Sequence, residues 1–168
     1  IAASENPQLC NDGSNVYVVW EEYRDGAGSI YGNASTDAGA TFGASDQRID
    51  RRPPAFATVS LNPVICCDGD NVCVAWEDTR NGATDIFFST SPDGGATWLA
   101  NDLRIDQDAG NSISVSPAIC TAKGSVYVAW EDARNGERDI YFNRSTDGGL
   151  TWQTTDLRID SDLSLIHI

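Results

Sequence analysis

"STDGGLTW" (145–152) rewrites a phrase that also stands as "SPDGGATW" (91–98) and "STDAGATF" (35–42). A phrase that returns at fixed spacing has to be settled first, because an internal repeat decides the fold before any single residue does. Working outward, Trp20, Trp76 and Trp130 close "VYVVW", "VCVAW" and "VYVAW" at nearly equal separations. The same separations relate Arg24, Arg80 and Arg134, and also Arg48, Arg104 and Arg158. All slack falls between "RID" (48–50, 104–106, 158–160) and the next start, "NPQLC" (6–10), "NPVIC" (62–66) or "SPAIC" (116–120).

Each unit reads as four short strands separated by turn residues. The first lies around "PVIC". The second is "NVCVAW", where Val72, Val74 and Trp76 share one face and Cys73 and Ala75 the other. Both faces are apolar, so the sheet needs cover on both sides. The third strand is "DIFFST" or "DIYFNR", and the fourth runs from the Trp of the repeated phrase to "LRID". Four-stranded units of this length, each needing a neighbour on both faces, describe the antiparallel blades of an all-β propeller. The blades span approximately 1–52, 53–108 and 109–162, with 163–168 an irregular tail. Three blades do not close a ring, so oligomerisation or further repeats are expected to complete it.

The repeated phrase explains itself as a hairpin clasp. Asp147 is placed to accept backbone N–H bonds, Gly149 supplies a positive φ, Ser145 and Thr151 add hydroxyls, and Trp152 drops beside the strands. These segments resemble the Asp-box, or BNR, repeats of sialidase-like β-propellers over "WEDTRNGATDIFFSTSPDGGATW" (76–98) and "WEDARNGERDIYFNRSTDGGLTW" (130–152). The resemblance assigns the box to Ser91, Asp93, Gly95, Thr97 and Trp98 in copy two, and to Ser145, Asp147, Gly149, Thr151 and Trp152 in copy three. Copy one offers Ser35, Asp37, Gly39, Thr41 and Phe42, and departs from the pattern at Ala38, Phe42 and Gly32, which reads as a looser blade. In that family the box lies on the outer rim, away from the axial mouth where ligands bind.

The resemblance also brings an enzyme reading: an arginine triad for a substrate carboxylate, a Tyr activated by a Glu, and an Asp acid or base. Glu21, Glu77, Glu131, Asp78, Asp132, Arg24, Arg80 and Arg134 are the attractive groups, yet they recur at equivalent positions, one set per blade. A catalytic set around an axis needs different residues from different blades, so these point to an Arg–carboxylate pair fixing the "WEDxRNG" turn. No catalytic residue is assigned. Arg51 and Arg52 in "RRPP" read as linker, and His167, the sole histidine, sits in the tail without catalytic weight. The leading expectation is a non-catalytic propeller module for protein or glycan interaction or assembly. A sialidase-like glycoside hydrolase fragment and a ring- or filament-forming structural protein are the alternatives.

Cys10, Cys66 and Cys120 are repeat-equivalent and read as small buried residues. Cys67 and Cys73 appear together only in copy two, flanking "DGDN" (68–71), and are expected to form a disulfide, with Cys66 to Cys73 as the register alternative. A disulfide implies an oxidising compartment, hence a secreted or cell-surface protein. Asn33 and Asn143 head N-glycosylation sequons. No cofactor is expected; "DGDN" and "DQDAGN" (106–111) resemble pieces of calcium loops but lack a full ligand set, so no metal ligand is assigned. The formal net charge of −14 makes nucleic acid a poor partner, and no apolar run is long enough to insert into a membrane. The expected partners are further blades, on a second copy or on the same polypeptide, and a glycan. With no Met in its 168 residues, the chain reads as a processed product or a piece of something longer.

Overall fold

The computed structural model describes residues 3–51, 58–107 and 112–161, all strand, turn or coil, without a helix. They form three four-stranded antiparallel sheets in simple up-and-down order. The first holds β1 (Ser4–Asp12), β2 (Asn15–Glu22), β3 (Ser29–Ser35) and β4 (Gln47–Arg48). The second holds β5 (Ser60–Asp68), β6 (Asn71–Asp78), β7 (Asp85–Ser91) and β8 (Leu103–Arg104). The third holds β9 (Ser114–Ala122), β10 (Ser125–Asp132), β11 (Asp139–Ser145) and β12 (Leu157–Arg158).

Strand lengths depart from the sequence reading in two places. The first strand of each blade is nine residues long and carries a bulge at Asn6–Pro7, Asn62–Pro63 or Ser116–Pro117. Proline lacks the N–H that a regular ladder needs, so the chain slips one register there and resumes pairing. The fourth strand is only two residues in each blade, and in the first and third blades side chains bond the stretch before it in place of a ladder. Asn143 Nδ2 donates to Gln153 O and Asp156 Oδ1, and Asn33 Nδ2 donates to Gly43 O and Asp46 Oδ1.

The blades stack face to face, with the first strands neighbouring one another, β1 against β5 and β5 against β9. Val19, Ile30 and Ile49 of the first sheet meet Val74, Trp76 and Phe87 of the second. Between the second and third sheets, Ala75, Phe88 and Ile105 meet Val126, Val128 and Trp130. The middle sheet is covered on both sides: every residue from Val72 to Trp76 is buried, and so is all of β7. In β10, burial alternates instead, as a strand packed on one face requires.

Among the described residues one disulfide joins the sheets, and it is not the expected one. Cys67 pairs with Cys10, 57 residues away, with 6.1 Å between their Cα atoms. Cys67 to Cys73 fails on register: the β5–β6 ladder sets Cys66 opposite Cys73 and Cys67 opposite Val72, so Cys67 and Cys73 point to opposite faces. The register alternative places its two residues correctly, yet Cys66 and Cys73 stay buried free thiols. Of the three repeat-equivalent cysteines, Cys10 is thus cross-linked, Cys66 is buried and Cys120 is exposed. The tail with His167 lies outside the described residues, as do Arg52 and most of "DQDAGN".

Candidate functional site on the inner strands

The clasp and the "WED" turn occupy opposite ends of each blade. Clasp backbone N–H groups bond the β1–β2, β5–β6 and β9–β10 hairpins through Ala38 N to Ser14 O, Gly94 N to Asp70 O and Gly148 N to Gly124 O. Within the clasp, Asp93 accepts Thr97 N at 2.7 Å and Thr97 Oγ1 at 2.6 Å, while Ser91 Oγ accepts Gly95 N at 2.8 Å. Asp37 with Ser35, Gly39 and Thr41, and Asp147 with Ser145, Gly149 and Thr151, repeat that set. The Thr41 bonds hold the Asp37 carboxyl down at about 2, and those from Ser145 and Thr151 do the same for Asp147. Phe42 is left exposed, whereas Trp152 packs edge-on against Phe88 of the preceding blade at 4.9 Å.

At the opposite end, the Arg and carboxylate residues form a network once per blade. Arg80 Nη2 bridges Asp78 at 2.6 Å and Asp102 at 2.8 Å while its guanidinium covers the Phe87 ring. Arg134 with Asp132 and Asp156, and Arg24 with Glu22 and Asp46, are the same arrangement. Arg24 donates to Glu22 and holds its carboxyl at about 2. The "RID" acids extend the network between blades: the one O–H of Ser60 lies between Asp50 of the blade before, at 3.0 Å, and Asp78 of its own, at 2.8 Å, and Ser114 lies likewise between Asp106 and Asp132. Burial pushes the Asp106 carboxyl up to about 6, against the opposing pull of Arg104.

The glutamates of "WED" reach the inner strands, the first strand of each sheet, where β1, β5 and β9 neighbour one another. Glu21 Oε1 accepts Asn6 Nδ2 at 2.8 Å and the backbone N–H of Asn62, in the next blade, at 2.7 Å. Glu77 Oε1 accepts Ser116 N of the third blade at 2.8 Å. Each bond falls on a bulge residue in the left-handed region: φ is 49° at Asn6, 51° at Asn62 and 56° at Ser116. Such a conformation costs of order 1 kcal/mol or more outside glycine and persists only where neighbours hold it. Here the glutamate latches hold it. The three bulges line a polar groove of about 330 Å³ running across the blades, with Gln8 and Glu77 also in its wall. The bulge was missed in the sequence, although the recurring Asn-Pro and Ser-Pro pairs were its signal.

The sequon asparagines serve the folded chain internally. Asn143 is fully buried, its Nδ2 bonded and its Oδ1 accepting Arg144 N and Gln153 N, which leaves no room for a glycan there. Asn33 is half-buried in the equivalent lock. Among the described residues, no group of three or more His, Cys, Asp or Glu side chains could hold a metal ion, and no helix is long and apolar enough to cross a membrane.

No protein-family model matches the chain, and no curated protein matches it. Solved structures do. An α-L-arabinanase of Penicillium chrysogenum complexed with arabinobiose superposes with a TM-score of 0.67 at 16% identity, over 96% of this chain and 50% of that one. A GH93 α-L-arabinofuranosidase of Fusarium graminearum gives 0.64 at 14% identity, over 92% and 48%. A Trypanosoma rangeli sialidase in complex with 2,3-difluorosialic acid gives 0.59 at 12% identity, over 93% and 31%. This chain therefore spans half or less of the length of these proteins, and at such identities the likeness establishes the fold alone: a sialidase-like β-propeller.

Proposed function

We propose that this chain is part of a carbohydrate-active propeller of the glycoside hydrolase type, with its inner-strand groove forming one wall of the glycan site. The observation that carries the reading is the shared architecture with an arabinanase, an arabinofuranosidase and a sialidase. This reverses the order of the expectations drawn from sequence, in which the non-catalytic module came first. The groove adds support from chemistry: its wall offers the amides of Asn6, Gln8 and Asn62 and the hydroxyl of Ser116, which suit a ligand dense in hydroxyl groups. Glu77, whose Oε1 is committed to Ser116 N, is the carboxylate in that wall.

A binding module without turnover is the second reading, favoured by the use of Glu21 and Glu77 as latches between blades. Retaining hydrolysis needs a second carboxyl group roughly 5 Å from the first, which other blades would supply. The Cys10–Cys67 disulfide fits secretion or display at the cell surface.

The test is titration of the purified protein with arabino- and sialyl-oligosaccharides, together with turnover of fluorogenic arabinofuranosides and sialosides. Saturable binding that weakens about tenfold in Gln8→Ala, the loss of about one hydrogen bond, supports the groove. Turnover supports the hydrolase reading. Binding without turnover supports the module. A folded protein that binds no glycan and turns none over refutes both.

A further inference from the structure

The first and second blades do not pack as the second and third do. In β6–β7 and β10–β11, register sets Ala75 opposite Phe88 and Ala129 opposite Phe142. In β2–β3 the same two places hold Val19 and Gly32. Phe88 is the plug of the second interface: fully buried, it lies edge-on to Trp152 and so close to Gly149 that a Cβ there would meet the ring. The first interface has the matching receptor in Gly95 and Trp98 but no ring to fill it. A Cβ on Gly95 would meet nothing nearer than Trp98, at 3.9 Å.

What remains is a cavity of about 280 Å³ between the first two blades. Its walls include Val19, Ile49, Ile65 and Val72, the Trp98 indole and Tyr17, with Asn33, Ser45 and Gln47 at its rim. Val19 and Ile49 have partly closed the place of the missing side chain, since a Cβ on Gly32 would meet them at 3.2 and 2.9 Å. The ring's own place, farther out against Trp98, stays open. An apolar cavity of roughly 150 Å³ already suffices to bind benzene, so one aromatic ring with a polar substituent fits here. The apolar side chains and the Trp98 indole suit a ring, and the amides and hydroxyl of Asn33, Gln47 and Ser45 suit one polar substituent on it.

We infer that this interblade cavity is a binding site for a small aromatic molecule carrying one hydrogen-bonding group, of the phenol or indole class. The ring takes the place that Phe88 fills one blade later, and its polar group faces the rim. The site is separate from the inner-strand groove and does not rest on the glycan reading.

The probes are p-cresol and indole, titrated into the whole 168-residue protein by calorimetry, with a thermal scan at saturation. Saturable one-site binding and a raised Tm are expected. The double variant Val19→Ala/Gly32→Phe writes the pairing of the other blades into the first; it should melt higher without ligand and bind either probe at least tenfold more weakly. If that variant fails to fold, Trp98 settles the matter in the parent protein, because its indole resonance must shift with the same saturation curve. No saturable binding by the parent protein, an unmoved Trp98 resonance, or undiminished binding by a folded double variant overturns the inference.

Discussion

Ser89 shows how much one residue of the repeat decides. Its counterparts Asn33 and Asn143 tie the end of the hairpin to Asp46 and Asp156. Serine is a bond shorter than asparagine and does not reach. Ser89 Oγ and Asp102 Oδ1 are left buried and unpaired, and burial pushes the Asp102 carboxyl up even though Arg80 and Arg51 N bond its other oxygen. An unpaired buried polar atom costs about 1–3 kcal/mol, so Ser89→Asn should stabilise the protein by about 1 kcal/mol or more. Urea unfolding at neutral pH is the measurement; an unchanged or lowered midpoint would remove the argument. The clasp residues were legible in the sequence for the same reason that Ser89 is informative: their bonds are local, closing within four residues. The glutamate latches were not, because their donors lie on the following blade and depend on a bulge.

At the level of strands, the period and the short β-branched and aromatic runs between turn residues made the second and third strands readable. Cysteine pairing depends on register, which periodicity does not reveal. Cys10 and Cys67 sit on facing first strands of neighbouring blades, one residue out of repeat equivalence. The same step from Cys66 leads to Thr121, on β9, with β5 and β9 in contact just as β1 and β5 are. Thr121→Cys should therefore form a second interblade disulfide with Cys66. Closing a loop of this size stabilises by about 4 kcal/mol in the chain-entropy picture, and native strain lowers the yield. Peptide mapping of the oxidised variant, with unfolding compared before and after reduction, is the check. A Cys66–Cys73 bond in place of the new one would show that the thiol opposite in register outcompetes the neighbouring blade.

At the scale of the whole molecule, the described residues form a stack whose first and third sheets each leave one apolar face uncovered. On the first blade, Leu9 is 66% exposed and Val16, Val18 and Trp20 are only half-buried, whereas Val72, Val74 and Trp76 at the equivalent places of the middle blade are fully covered. On the third, Tyr127, Ala129 and Phe142 are half-buried beside an apolar hollow of about 290 Å³, and their counterparts Cys73, Ala75 and Phe88 are buried completely. Each end thus presents one side of an interface that the chain already builds twice within itself. What covers one end best is the other, so a second copy joined head to tail is the proposed occupant, and two such contacts related by a twofold axis would close a ring of six blades. Light scattering from the purified protein should give twice the single-chain mass of 18.1 kDa. Tyr127→Glu, placing a charge in the contact, should return the particle to the single-chain mass with its strand content intact. A parent protein that keeps the single-chain mass across the accessible concentration range would show that its end faces do not suffice to hold two copies together.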